Sequence, residues 1–114
     1  IQAYSDTEIK VNNISYHQSL IVSHDTIMSP WEVLHPSEVT EDLLQPILQL
    51  NPEIIILGTH MPEHLRSLSC LKKLCEQHIG IECMTLDAAC RTFNVLLGEH
   101  RRVVVGFILG PKPI

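Results

Sequence analysis

Neither GxxxxGK[ST] nor GxGxxG occurs in this chain, so it has no glycine-rich cradle for a nucleotide phosphate. The G-x-S-x-G turn of serine hydrolases is missing too. Basic residues are scarce. Lys and Arg number 8 against 13 acidic residues, for a formal net charge of -5, and only Lys72-Lys73 and Arg101-Arg102 are adjacent. Tracking a nucleic-acid backbone needs clustered positive charge, so nucleic acid is excluded as a partner. The chain has no signal-peptide pattern and no apolar run approaching about 18 residues, which sets aside a transmembrane helix. The four cysteines, Cys70, Cys75, Cys83 and Cys90, form no CxxC pair. They read as reduced thiols of a cytoplasmic protein, or a mitochondrial one if the source is eukaryotic. Internal repeats and low-complexity linkers are absent as well.

What is present describes one domain over 1–110, with an extended tail at 111–114. The organising stretch is Ile54-Ile55-Ile56-Leu57-Gly58-Thr59-His60. Its branched apolar residues do not alternate with polar ones, so both faces of this strand are covered. Upstream, residues 3–23 read as β structure. Asn12-Asn13 lies between two alternating segments and predicts a tight hairpin, followed by a more buried strand at Ser19–Ser23. Ile27 to Leu34 is apolar enough for another strand, and Pro30 assigns it to an edge or a bulge. Thr40 caps a helix kinked by Pro46 and ended by Asn51-Pro52. Downstream of Gly58 come a polar loop and a helix over about 69–78 that Gly80 stops. A short strand at 81–84, a third helix from Thr85 to about Gly98 and a last strand over 103–109 complete the chain. The reading is an α/β single domain: a three-layer sandwich with a mixed central sheet, a C-terminal β-α-β-α-β unit and an N-terminal β-ribbon.

The sharpest chemical motif is His60-Met61-Pro62-Glu63-His64, which matches H-x-x-E-H of inverted zinc proteases. That chemistry needs both histidines on one helix face, with the glutamate as base. Pro62 lies inside the pattern and a strand directly precedes it, so a solvated loop is the better reading. A cysteine nucleophile needs a positive neighbour to stabilise its thiolate. Here the thiols fall on helices and a strand, and they read as packing groups. No metal site or cofactor is expected. Topology does gather polar residues at the carboxyl ends of the parallel strands, with Thr59 and His60 beside Thr85 and Asp87. Asp87, Arg91 and Asn94 share one face of the third helix. They form either an ordinary solvated face with an Asp87–Arg91 pair or a ligand or partner site. Glu99 and Arg101 either belong to that site or form a structural pair that fixes the turn into the last strand.

Longer stretches carry a resemblance. They are Ala3-Tyr4, Tyr16 with Ser19-Leu20-Ile21-Val22, Trp31, and Pro52-Glu53 with Ile56-Leu57-Gly58-Thr59. The most specific are Ile79–Thr85, Ala88-Ala89-Cys90-Arg91-Thr92-Phe93-Asn94-Val95-Leu96 and Glu99-His100-Arg101-Arg102-Val103. Together they resemble a family of small domains of unknown function that includes mitochondrial NADH:ubiquinone oxidoreductase complex assembly factor 3. The resemblance implies a three-layer α/β domain with a β-ribbon, no established catalysis or cofactor, and, for the mitochondrial relative, complex I assembly through protein contacts. Where the family usually has glycine, this chain has His60 after Gly58-Thr59 and His100 between Glu99 and Arg101.

Two functions follow as expectations. The first is a non-enzymatic interaction or assembly protein whose partner is another protein, a second copy of the chain included. Its surfaces would be the loop from Thr59 to Arg66 and a groove flanked by Trp31 and the third helix. The second is a small-molecule binder or uncharacterised enzyme using Thr59, His60, Asp87, Arg91 and Asn94. A compact polar pocket around a desolvated Arg91 would favour the binder, and an open apolar surface the interaction protein.

Overall fold

The computed structural model describes residues 2–5, 8–33, 35–66 and 69–109. Residues Ile54–Gly58 form β6, the axis of a five-stranded mixed sheet. It pairs in parallel, residue for residue, with β7 (Gly80–Met84) and β8 (Val103–Phe107). On the far side of β8 lie β4 (Leu20–Val22) and the edge strand β5 (Ile27–Met28), both antiparallel to their neighbours. The order is therefore β5-β4-β8-β6-β7.

Strand residues alternate between two apolar cores. Ile56, Val103, Val105 and Phe107 face α4 (Leu86–Gly98), which presents Leu86, Ala89, Cys90 and Phe93. Ile55, Leu57 and Val104 face the other way, toward Leu44 and Ile47 of α1 (Glu41–Leu48), Leu71 and Leu74 of α3 (Ser69–Glu76), and Trp31. Both sheet faces are covered, which is why the organising strand has no polar residue in its middle. A separate three-stranded antiparallel sheet, β1 (Gln2–Ser5), β2 (Glu8–Val11) and β3 (Ile14–Tyr16), adds Ile9 and Val11 to the α4 core. Asn12 and Asn13 turn β2 into β3 with φ 52 and 68. Positive φ at both central residues suits the right-handed twist of a tight hairpin. The domain is thus the expected three-layer sandwich.

Two glycines allow these layers to close. A Cβ on Gly58 would stand 2.8 Å from the Ala89 Cβ, and one on Gly106 2.7 Å from the Trp31 ring. Their function is close approach, of a helix to β6 and of the indole to β8.

Several expectations change. The strand expected over Ile27–Leu34 shrinks to Ile27–Met28. After it the chain leaves the sheet edge, and Trp31 donates its N–H to the Ser19 carbonyl at 2.7 Å. A one-turn helix, α2 (Glu63–Arg66), interrupts what reads as polar loop. The residue leaving α3 in the left-handed region is His78 (φ 65), and Gly80 opens β7 instead. The caps agree with the reading: Thr40 Oγ1 accepts the Leu43 N–H at 3.3 Å and Thr85 Oγ1 the Ala88 N–H at 3.4 Å. The expected packing of the Cys70 and Cys75 side chains lies outside what is described, and the tail at 111–114 lies outside the described residues.

Candidate functional site

At the carboxyl end of β6 the chain closes on itself. Thr59 is 0% exposed. Its N–H extends the ladder to the Met84 carbonyl at 3.0 Å, and its Oγ1 accepts the Met61 N–H at 3.4 Å. The Gly58 carbonyl accepts the Ile108 N–H at 2.8 Å. These bonds to Met84 and Ile108 extend the parallel ladder past the end of β6.

The candidate polar residues divide between the two ends of the sheet. Asp87 lies in the first turn of α4, beside Thr85 and near Thr59. Its carboxylate accepts from the Arg91 guanidinium in an i,i+4 pair, with both side chains 69% exposed. Such exposed helix pairs contribute only about 0.2–0.5 kcal/mol. Asn94 is exposed one turn further on. Glu99 follows the last turn of α4, where its N–H is shared by the Val95, Leu96 and Leu97 carbonyls. Twelve residues of helix separate Asp87 from Glu99, a span of about 18 Å, so one small pocket does not include both. His60 is half-buried in the loop after Thr59. His100 takes φ 59, the left-handed region that glycine enters without penalty.

Arg101 does not pair with Glu99. Its Nε donates to Glu53 Oε1 at 2.8 Å, and the same oxygen accepts the Arg102 N–H at 3.0 Å. The Glu53 and Ile54 N–H groups in turn donate to the Arg102 carbonyl at 2.9 and 3.2 Å. This clamp joins the start of β6 to the start of β8. The Arg101 side chain, then the Arg102 N–H, hold the Glu53 carboxyl below the usual carboxylate range. A carboxylate with a depressed folded pKa contributes its stability above the unfolded pKa and loses it as pH falls through the folded value. Glu53→Gln is therefore expected to lower the urea midpoint at pH 7, with the difference from wild type shrinking as pH falls below about 4. A difference that persists unchanged at pH 3 would contradict the clamp.

The H-x-x-E-H motif is not a helical metal face. His60 precedes the turn, and Glu63 is the first residue of α2. The His64 ring meets that of His35, with centroids 5.4 Å apart and planes tilted by 34°. Among the described residues no group of three or more His, Cys, Asp or Glu side chains is placed to hold a metal. Burial pushes the Cys90 thiol up to about 11, opposite to what a nucleophile needs.

Among the described residues, clefts open on opposite faces of the central sheet. One, of about 310 Å³, is lined by Ile21, Met28, Pro30, Trp31, Glu32, Asp42, Leu43 and Pro46. Trp31 is anchored beneath it: its indole N–H donates to the Leu43 carbonyl at 2.8 Å, and Gly106 leaves room for the ring against β8. Pro46 has no N–H to give the carbonyl four residues back, so the Asp42 carbonyl falls outside the α1 ladder at the groove wall. The charged lining residues, Glu32 and Asp42, are both acidic. The other cleft, of about 260 Å³, lies between the β4–β5 turn, Asn12 and the Phe93–Leu97 stretch of α4. Sequence reasoning singles out Trp31 and Pro46 separately. It places Trp31 in a groove with the third helix, whereas the sheet stands between them and the groove's second wall is α1.

Comparison with known proteins follows the fold. A family model described as "Protein of unknown function (DUF498/DUF598)" matches residues 1–108. The "13 kDa major membrane protein" of Francisella tularensis subsp. holarctica (strain LVS) is 32% identical over 88 residues, 71% of this chain and 72% of that protein. A solution structure from Xanthomonas campestris superposes with a TM-score of 0.86 at 34% identity, covering 99% of this chain and 86% of its own. A Bordetella pertussis solution structure described as an Mth938-like domain gives 0.78 at 28% identity, covering 94% and 83%. Among the described residues, no helix of this chain is long and apolar enough to cross a membrane.

Proposed function

The chain belongs to the DUF498/DUF598 family, and from that premise we propose that it is a non-enzymatic protein-interaction module, acting as an assembly factor. Its partner segment lies in the groove floored by Trp31. The observation that carries this reading is the groove itself, an apolar channel between β5 and α1 with Glu32 and Asp42 on its rim. An anchored aromatic floor surrounded by same-sign charge suits a polypeptide segment with apolar side chains flanked by Lys or Arg. The resemblance to the mitochondrial complex I assembly factor supports the assembly role. The Francisella relative's name fits a partner that is itself membrane-bound, with this chain binding from the aqueous side. A small-molecule site at Thr59 and Arg91 has less support, because Thr59 is enclosed and Arg91 is solvated.

Charge reversal at the rim tests this function. In affinity capture from native lysate, Glu32→Lys/Asp42→Lys is expected to lose about tenfold or more of a partner protein that the wild type retains. Circular dichroism checks that the variant is folded. Equal recovery by a folded variant would move the partner elsewhere on the chain.

A further inference from the structure

The cleft on the α4 face of the sheet has a chemistry of its own. Its floor is apolar: Val11 from β2, Val22 from β4 and Phe93 from α4 are buried, and Leu97 is half-buried. Ile27 forms part of the rim and is 37% exposed. The polar lining comes from the Ser23–Thr26 turn, Asn12 and Asn94. The titratable lining groups are His24 and Asp25, and no Lys or Arg lines the cleft.

The Asp25 carboxylate is held in position. Its Oδ1 accepts from the Thr26 hydroxyl at 3.0 Å and the Ser23 hydroxyl at 3.2 Å. The Ser23 hydroxyl also accepts the Thr26 N–H at 3.1 Å, and the Ser23 N–H donates to the Thr26 carbonyl at 2.8 Å. Turn and carboxylate therefore brace each other. Asp25 Oδ2 faces His24 Nε2 at 3.5 Å. The Thr26 hydroxyl, then that of Ser23, keep the carboxyl below its ordinary range, so it is ionised at neutral pH.

We propose that this cleft binds a small primary amine with an apolar body: the ammonium group meets Asp25, and the body lies on Val11, Val22, Phe93 and Leu97. A hydrogen-bonded carboxylate on the lining of a partly apolar hollow recognises a charge-assisted donor attached to a hydrophobic group. Anions are disfavoured, since no Lys or Arg lines the cleft to receive them. A bare divalent ion has a single carboxylate here, short of the several hard oxygen ligands it needs. At about 260 Å³ the cleft lies just below the range for ligand pockets, roughly 300–1,000 Å³, which limits it to a small ligand. The site is separate from the Trp31 groove, which the sheet keeps on the other face.

The test is an amide-resolved NMR titration at pH 7 with 2-phenylethylamine as the probe. Its neutral isostere 2-phenylethanol and the anion 3-phenylpropanoate serve as comparisons. The amine is expected to shift the amides of Ser23–Ile27 and Asn94–Leu97 saturably. It should bind about tenfold more tightly than the alcohol, the ratio one charge-assisted hydrogen bond supports. Asp25→Asn keeps an acceptor for the turn and should bring the amine down to the level of the alcohol. Equal binding of amine and alcohol by the wild type would overturn the proposal without reference to any variant. Tighter binding of the anion, shifts confined to other residues, or no saturable shift would overturn it equally.

Discussion

Gly58→Ala lowers the unfolding free energy by about 1–3 kcal/mol, the cost of forcing a methyl group into a packed core. Backbone conformation is not the cause, since among the described residues no glycine, Gly58 included, has positive φ. The cause is contact. The new Cβ would stand 2.8 Å from the Ala89 Cβ, closer than such carbon atoms approach, and a tight 3.2 Å from Phe107 Cδ1. Either α4 lifts from β6 or the strand bends, and both loosen the core that holds Phe93 and Leu86. Ala89→Gly supplies the partner measurement. Alone it costs about 1 kcal/mol as a glycine within a helix. Combined with Gly58→Ala it should recover part of the loss, because the clash is gone. Urea denaturation of the four proteins in this cycle gives the coupling between the sites. Purely additive losses would show that Ala89 is not what requires the glycine.

Phe93→Ala is expected to cost about 3–5 kcal/mol, the largest effect of any substitution considered for this chain. The ring is 1% exposed, in the core where α4, β8 and β2 meet, and it is also part of the floor of the Asp25 cleft. Its removal leaves a void beneath that cleft and unties α4 from both sheets. Val95, two residues on, is 60% exposed. Val95→Ala on the same helix should stay within about 0.5 kcal/mol of wild type. Denaturation midpoints that fall alike for the two variants would contradict the assignment of the buried face of α4.

Much of this architecture was legible before any coordinates. The unbroken run at Ile54–Leu57 announces a doubly covered strand, and Thr40 and Thr85 are caps that local chemistry specifies without tertiary help. Asn12-Asn13 marks its hairpin because few other residues tolerate two positive φ angles in succession. What escaped is long-range. The large area of Trp31 marks it as core or groove wall but not which side of the sheet covers it, so the sequence pairs the groove with the third helix where the structure has α1. Glu53 and Arg101 are separated by 48 residues, and nothing local distinguishes Glu53 from Glu99 as the partner of Arg101. Gly58 reads as part of a ligand turn because it stands at the carboxyl end of a strand, where open α/β sheets place ligands. Only the approach of Ala89 reveals that its missing side chain serves packing. The candidate site divided for a related reason. Asp87, Arg91 and Asn94 do share a helix face, but adding Glu99 and Arg101 carries the set along α4 to the other end of the sheet.

The most direct test of the interaction reading is site-specific photocrosslinking in native lysate. A photoreactive side chain at Met28 would lie in the groove, and one at Arg91 would lie on the exposed face of α4. A protein adduct from position 28, abolished by Glu32→Lys/Asp42→Lys and absent from position 91, is the result expected. An adduct from position 91 that ignores those reversals, with none from position 28, would contradict the account and transfer the partner surface to α4.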